Sequence, residues 1–159
     1  MGSIFHLSEA ASIAIHSMVV IAGSNQMLNA RQVAEQTGFS KNHTAKVLQQ
    51  LTKNHFLLSA RGPGGGFRMG KSVWEVSLLD IYQLIEGELE SSRCGFDCDH
   101  CPVKTCIFGG LDKRFNEEFQ QYMRNTSLGQ LIQAPGGRNG AAIPTAGIQT
   151  QNVNQMVQA

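Results

Sequence analysis

The sequence predicts a mainly α fold carrying one small β-hairpin, and three observations predict it. Apolar residues recur at helical spacing in most segments, with capping residues ahead of them and glycines behind. Two short apolar runs flank the loop Arg61-Gly62-Pro63-Gly64-Gly65-Gly66, as a hairpin requires. A late stripe of Leu111, Phe115, Phe119 and Tyr122 marks a long amphipathic helix.

Leu7 to Ala22 reads as a buried helix, with Ser8 as N-cap, Glu9 at the positive dipole end and Gly23 as its stop. Asn29 opens a second helix, since Asn29 and Gln32 form a capping box and Gly38 follows Thr37 where that helix ends. A third runs from Lys41 to Asn54, with Val47, Leu48 and Leu51 on one face and Lys41, Asn42, Ala45, Lys46 and Gln49 largely on the other. Phe56 to Ala60 and Phe67 to Met69 are the hairpin strands, because glycines and a proline in the intervening loop continue neither helix nor ladder. Ser77 to Ile85 is helical, with Ser77 and Asp80 as its capping box. A short helix from Ser127 to Ile132, capped by Thr126, follows the long one. Helix, tight turn, helix and hairpin in this order are those of a winged helix-turn-helix. Residues 1–75 are expected to form that unit, residues 76–133 a linker helix, a cysteine loop and the long helix, and residues 134–159 a disordered tail, with one charge, Arg138, and no period.

The 159 residues suit one domain, and 42% are apolar, enough for a core. No window approaches the ~18 apolar residues of a membrane span, so no membrane partner is expected. The N-terminus lacks the pattern of a signal peptide, which makes a cytoplasmic, reducing location the expectation. Charge is segregated along the chain. Residues 31–71 carry seven bases against one acid, whereas residues 72–133 carry ten acids against five bases. A polyanion is therefore attracted to the first half alone. Within it, a third helix lying in the major groove of double-stranded DNA presents Ser40, Lys41, Asn42, Ala45 and Lys46 at its N-terminal, outward side; Asn pairs with adenine edges and Lys with guanine or phosphate. The hairpin brings Arg61 and Arg68 to the backbone or a narrow minor groove. The glycine loop lacks the Lys-Ser/Thr of a nucleotide loop.

Cys94, Cys98, Cys101 and Cys106 fall within thirteen residues, and the chain has no other cysteine. In a reducing compartment such a cluster points to metal rather than to disulfides. Four thiolates suit an iron-sulfur cluster or zinc; gaps of three, two and four residues lean toward a compact loop around a cluster, with redox thiols as a further alternative. His100 lies inside this loop and reads as solvent-exposed; Asp97 and Asp99 flank Cys98. His43 is placed to touch phosphate and His16 to pack on the first helix. No Ser-His-Asp or paired-carboxylate arrangement stands out, so no enzyme is expected.

The segment Arg61-Gly62-Pro63-Gly64-Gly65-Gly66-Phe67 closely resembles the wing of the IscR and NsrR type of bacterial regulators, the Rrf-two family. It follows a recognition helix ending in Leu51-Thr52-Lys53-Asn54 at the matching distance. The cysteine loop after Leu78 to Ile85, the long helix after Cys106 and Asn125-Thr126-Ser127-Leu128-Gly129-Gln130-Leu131 match as well, so the resemblance covers residues 5–133. It implies a homodimeric transcription factor whose long C-terminal dimerisation helix buries Leu111, Phe115, Phe119 and Tyr122 against the partner. It also implies an iron-sulfur cluster, 2Fe-2S or 4Fe-4S, whose state sets DNA affinity, held by three cysteines that map to Cys94, Cys101 and Cys106 plus one further ligand. Positions that supply this ligand in relatives correspond to Ser12 and Gly109, neither a good donor. Cys98, surplus to the family pattern, is expected to fill the place, with Glu9 and His100 as lesser candidates. Ala45 stands where some relatives carry an acid that discriminates between operators, so a different DNA preference is expected.

Overall fold

A computed structural model describes residues 7–89 and 110–133. Six helices and one hairpin follow each other as α1 (Glu9–Ala22), α2 (Ala30–Thr37), α3 (Lys41–Lys53), β1 (Leu57–Ala60), β2 (Gly66–Met69), α4 (Leu78–Glu86), α5 (Leu111–Asn125) and α6 (Leu128–Gln133). The mainly α fold with a β-wing is the one read from the sequence. Its helix starts are set by local chemistry. Ser8 accepts from the Ala11 amide at 3.0 Å, so α1 begins at Glu9 rather than Leu7. Both expected capping boxes form, Asn29 with Gln32 on α2 and Ser77 with Asp80 on α4. Gly38 ends α2 at φ 79°, a left-handed turn that any side chain would strain.

The strands pair antiparallel, Leu57 opposite Met69 through Ala60 opposite Gly66. Leu28 adds a one-residue third strand that the sequence did not disclose: its N–H donates to Phe67 O at 3.1 Å, and its carbonyl oxygen accepts from the Phe67 N–H at 2.8 Å. A one-residue strand has no periodicity to read. Gly66 permits this approach, because a Cβ there would lie 2.6 Å from the Leu28 carbonyl carbon.

The larger core joins Ile13, Met18 and Ile21 of α1 to Val33, Leu48, Leu51, Leu57, Val76, Ile81 and Leu128. Burying each large aliphatic side chain contributes ~1.5–3 kcal/mol. A second cluster packs Leu78 and Leu79 of α4 against Met123 of α5, with Tyr82 and Phe119 beside them. After α5 the chain returns to the segment behind the wing. Leu78 N donates to Thr126 O at 2.9 Å, Leu128 N to Val76 O at 3.0 Å and Gly129 N to Val73 O at 2.9 Å. Thr126 is not the cap of α6. Ser127 and Gln130 supply that box, while the buried Thr126 hydroxyl donates to Tyr122 O at 2.8 Å and closes α5. His16, expected to be packed, is exposed: it contacts Phe39 edge-on at 5.7 Å, and its Nδ1 lies 2.7 Å from Ser12 O. The tail, residues 134–159, lies outside the described residues.

Candidate nucleic-acid interface

Helix α3 owes its orientation to four inward residues. Thr44, Val47, Leu48 and Leu51 are buried against the rest of the head, and at 100° per residue the opposite face carries Asn42, Lys46, Gln49 and Lys53, all exposed. Ser40 and Lys41 are exposed at the start of the helix. Ser40 occupies the N-cap without making a side-chain capping bond, so its hydroxyl is unengaged at the positive end of the helix. Among the described residues, no ion pair or side-chain hydrogen bond engages Lys41, Asn42, Lys46, Arg61 or Arg68.

The flanks of α3 are tied down. Nδ1 of His43 lies 3.5 Å from Glu9 Oε1 of α1, so this histidine has a carboxylate partner that the sequence did not reveal. Gln50 Nε2 donates to Leu84 O of α4 at 3.1 Å. On α2, Arg31 Nε donates to Glu35 at 2.8 Å. That bond raises the guanidinium's pKa further and orients it, while full exposure makes the pair worth little to stability.

On the wing, Gly62 and Gly64 take φ values of 99° and 78°, which turn the chain sharply behind Arg61. Arg61 stands exposed where β1 ends. Arg68 is further back in β2, opposite Leu58, and lines a hollow with Ser24, Asn25 and Gln26 of the α1–α2 connection. Lys71 lies over the Phe56 ring, 4.0 Å from its centroid, which anchors the base of the hairpin.

Helix α5 divides the expected stripe. Leu111, Phe115 and Tyr122 are exposed, Phe115 to 53%. Phe119 instead meets Tyr82 edge-on at 5.4 Å, and the buried Met123 joins it against α4. Burial there pushes the Tyr82 phenol up, and Glu86 adds to the effect. Cys94, Cys98, Cys101, Cys106 and His100 lie outside the described residues, in the stretch that connects Glu86 of α4 to Leu111 of α5. Among the described residues no group of three or more His, Cys, Asp or Glu could hold a metal ion, and no helix is long and apolar enough to cross a membrane.

Residues 7–134 match the family model Rrf2, described as an iron-dependent transcriptional regulator. The chain belongs to the Rrf2 family. This Rrf2 protein is 24% identical over 123 residues to the HTH-type transcriptional regulator IscR of Klebsiella pneumoniae subsp. pneumoniae, a match over 77% of this chain and 72% of that protein. Its fold is similar to that of CymR, the global cysteine regulator of B. subtilis, with a TM-score of 0.69 at 18% identity over 84% of this chain and 100% of that one. T. potens IscR matches with a TM-score of 0.65 at 17% identity, over 84% and 95% of the two chains. As an Rrf2 member the chain is a DNA-binding transcription regulator, and α2, α3 and the wing are its helix-turn-helix head.

Proposed function

We propose that this protein is a homodimeric, operator-binding regulator that adjusts its DNA affinity to the state of an iron-sulfur cluster. The observation that carries the DNA half is the outward face of α3, where the side chains of Asn42 and Lys46 are exposed and have no partner among the described residues. Lys41 and Ser40 join the open amides of the first turn in holding backbone phosphate. Asn42 pairs with an adenine edge, and Lys46 takes guanine or phosphate. Arg61 enters the minor groove beside the head, with Arg68 on the flanking backbone. Leu111, Phe115 and Tyr122 form the dimer contact, an apolar patch that a monomer would leave in water, with Phe119 at its edge where it packs on Tyr82.

The cysteines fit the cluster by the chemistry of their donors: four soft sulfurs, with Cys94, Cys101 and Cys106 as the family set and Cys98 completing it. When bound, such a cluster supplies reversible electron transfer and reactivity toward oxidants. The thiols lose their protons on ligation, so holding it is pH-dependent. The connection to DNA runs through the C-terminal end of α4. Ser8 Oγ donates to Glu86 at the helix's C-terminal end, Gln50 ties α3 to Leu84, and Glu9, the neighbour of Ser8, meets His43. A displacement of the α4 end is thereby passed to both flanks of the recognition helix.

The test is a visible absorption spectrum of protein purified without oxygen, with iron, sulfide and zinc assayed on the same sample, followed by operator binding with and without the cluster. Iron and sulfide in similar amounts with a visible band support the sensor; a colourless zinc protein makes the loop a structural staple. Cys98→Ala is expected to alter the cluster spectrum and shorten its lifetime in air. An unaltered spectrum and lifetime would remove Cys98 from the ligand set.

A further inference from the structure

We infer that Gln49 is a second base-reading residue, selecting adenine about three base pairs from the base met by Asn42. This rests on the operator-binding reading above and deepens it. Helix α3 and its C-cap carry four carboxamides, Asn42, Gln49, Gln50 and Asn54. Two are engaged: Gln50 donates to Leu84 O at 3.1 Å and Asn54 Nδ2 to Gln50 O at 2.9 Å. Asn42 and Gln49 are exposed, and their side chains take part in no hydrogen bond among the described residues.

Their spacing puts both on the groove side. Seven residues bring Gln49 to within about 20° of Asn42 around the helix axis, opposite the buried Thr44, Val47, Leu48 and Leu51 and with Lys46 between them. Helical side chains lean toward the N-terminus, so that of Gln49 covers the turn occupied by Ala45. A methyl group is all that Ala45 places in the path of the carboxamide. An amide offers one donor and one acceptor side by side, the complement of adenine N7 and N6. Seven residues rise about 10.5 Å along the axis, close to three base-pair steps of ~3.4 Å.

The experiment uses the full chain and an operator selected by it from a random double-stranded library. Dissociation constants at fixed salt are measured for that operator, all its single-base variants and an unselected duplex. Gln49→Ala is expected to weaken the selected operator roughly 5- to 150-fold, to erase the preference for adenine at one position in each half-site, and to leave the unselected duplex and the salt slope unchanged. Asn42→Ala erases the preference at a different position, about three base pairs away. Gln49→Glu, which only accepts, moves the preference at the Gln49 position from adenine to cytosine. Equal weakening on every duplex with a shallower salt slope makes Gln49 a phosphate contact and overturns the inference. So does an unchanged preference in both variants. If Asn42→Ala and Lys46→Ala alter operator binding while Gln49→Ala does not, this inference falls and the operator reading stands; wild-type protein without preference for any duplex overturns both.

Discussion

Ser40, Asn29 and Ser77 are all helix N-caps, yet they differ in what their side chains do. Asn29 and Ser77 close boxes on their own helices, and both boxes were legible because a cap and its partner lie three residues apart in sequence. Ser40 makes no such bond, which no sequence rule discloses, and the unused hydroxyl leaves the start of α3 open to phosphate. On the wing, Arg61 is exposed and is the proposed DNA contact. Arg61→Ala is expected to weaken operator binding by ~1–3 kcal/mol at fixed salt, read by fluorescence anisotropy; an unchanged dissociation constant would place the wing away from the duplex. Thr44 is the opposite case, an inward residue whose hydroxyl is buried without a hydrogen-bond partner among the described residues. Replacing an unsatisfied hydroxyl by a methyl removes a desolvation cost. Thr44→Val is therefore expected to raise the urea midpoint, by up to ~1 kcal/mol in stability, and to leave DNA affinity as it was.

Helices and hairpin were legible almost to the residue because each carries its own punctuation: a cap, a period and a glycine stop. Contacts between elements were not. The Leu28 rung, the Glu9–His43 pair and the Gln50 tether join residues about 34 or more positions apart, and local pattern holds no record of them. The division of the α5 stripe was hidden for the same reason, since Phe119 is drawn to Tyr82 across a long separation. Gly66 shows how much one such contact demands. A methyl group there would stand 2.7 Å from Leu28 O and 2.9 Å from the Asn29 amide. Gly66→Ala is expected to cost ~1–3 kcal/mol of stability in urea unfolding and to loosen the hairpin, with operator affinity falling as well. Full stability in this variant would show that the Leu28 rung is dispensable.

At the scale of the molecule, the basic head and the acidic C-terminal half direct a polyanion to one side. The apolar residues left exposed on α5 are the proposed dimer contact, and dimerisation would set two recognition helices at a fixed spacing. Phe115→Glu is expected to convert the proposed dimer to monomer at micromolar concentration in sedimentation equilibrium and to weaken binding to a two-half-site operator far more than to a single half-site. A variant that sediments as a dimer would move the contact elsewhere. The stretch bearing the four cysteines leaves from α4 and returns at α5, and those two helices already hold each other through Leu78, Leu79 and Met123. The closing of α6 onto the segment behind the wing holds α5 in place a second time. A connection between two elements that are held together independently of it can change length cheaply, about 0.6 kcal/mol for each doubling. Under the proposed reading, evolution can thus exchange one detector for another, or discard it, while the helices and hairpin that carry the DNA-reading face stay folded.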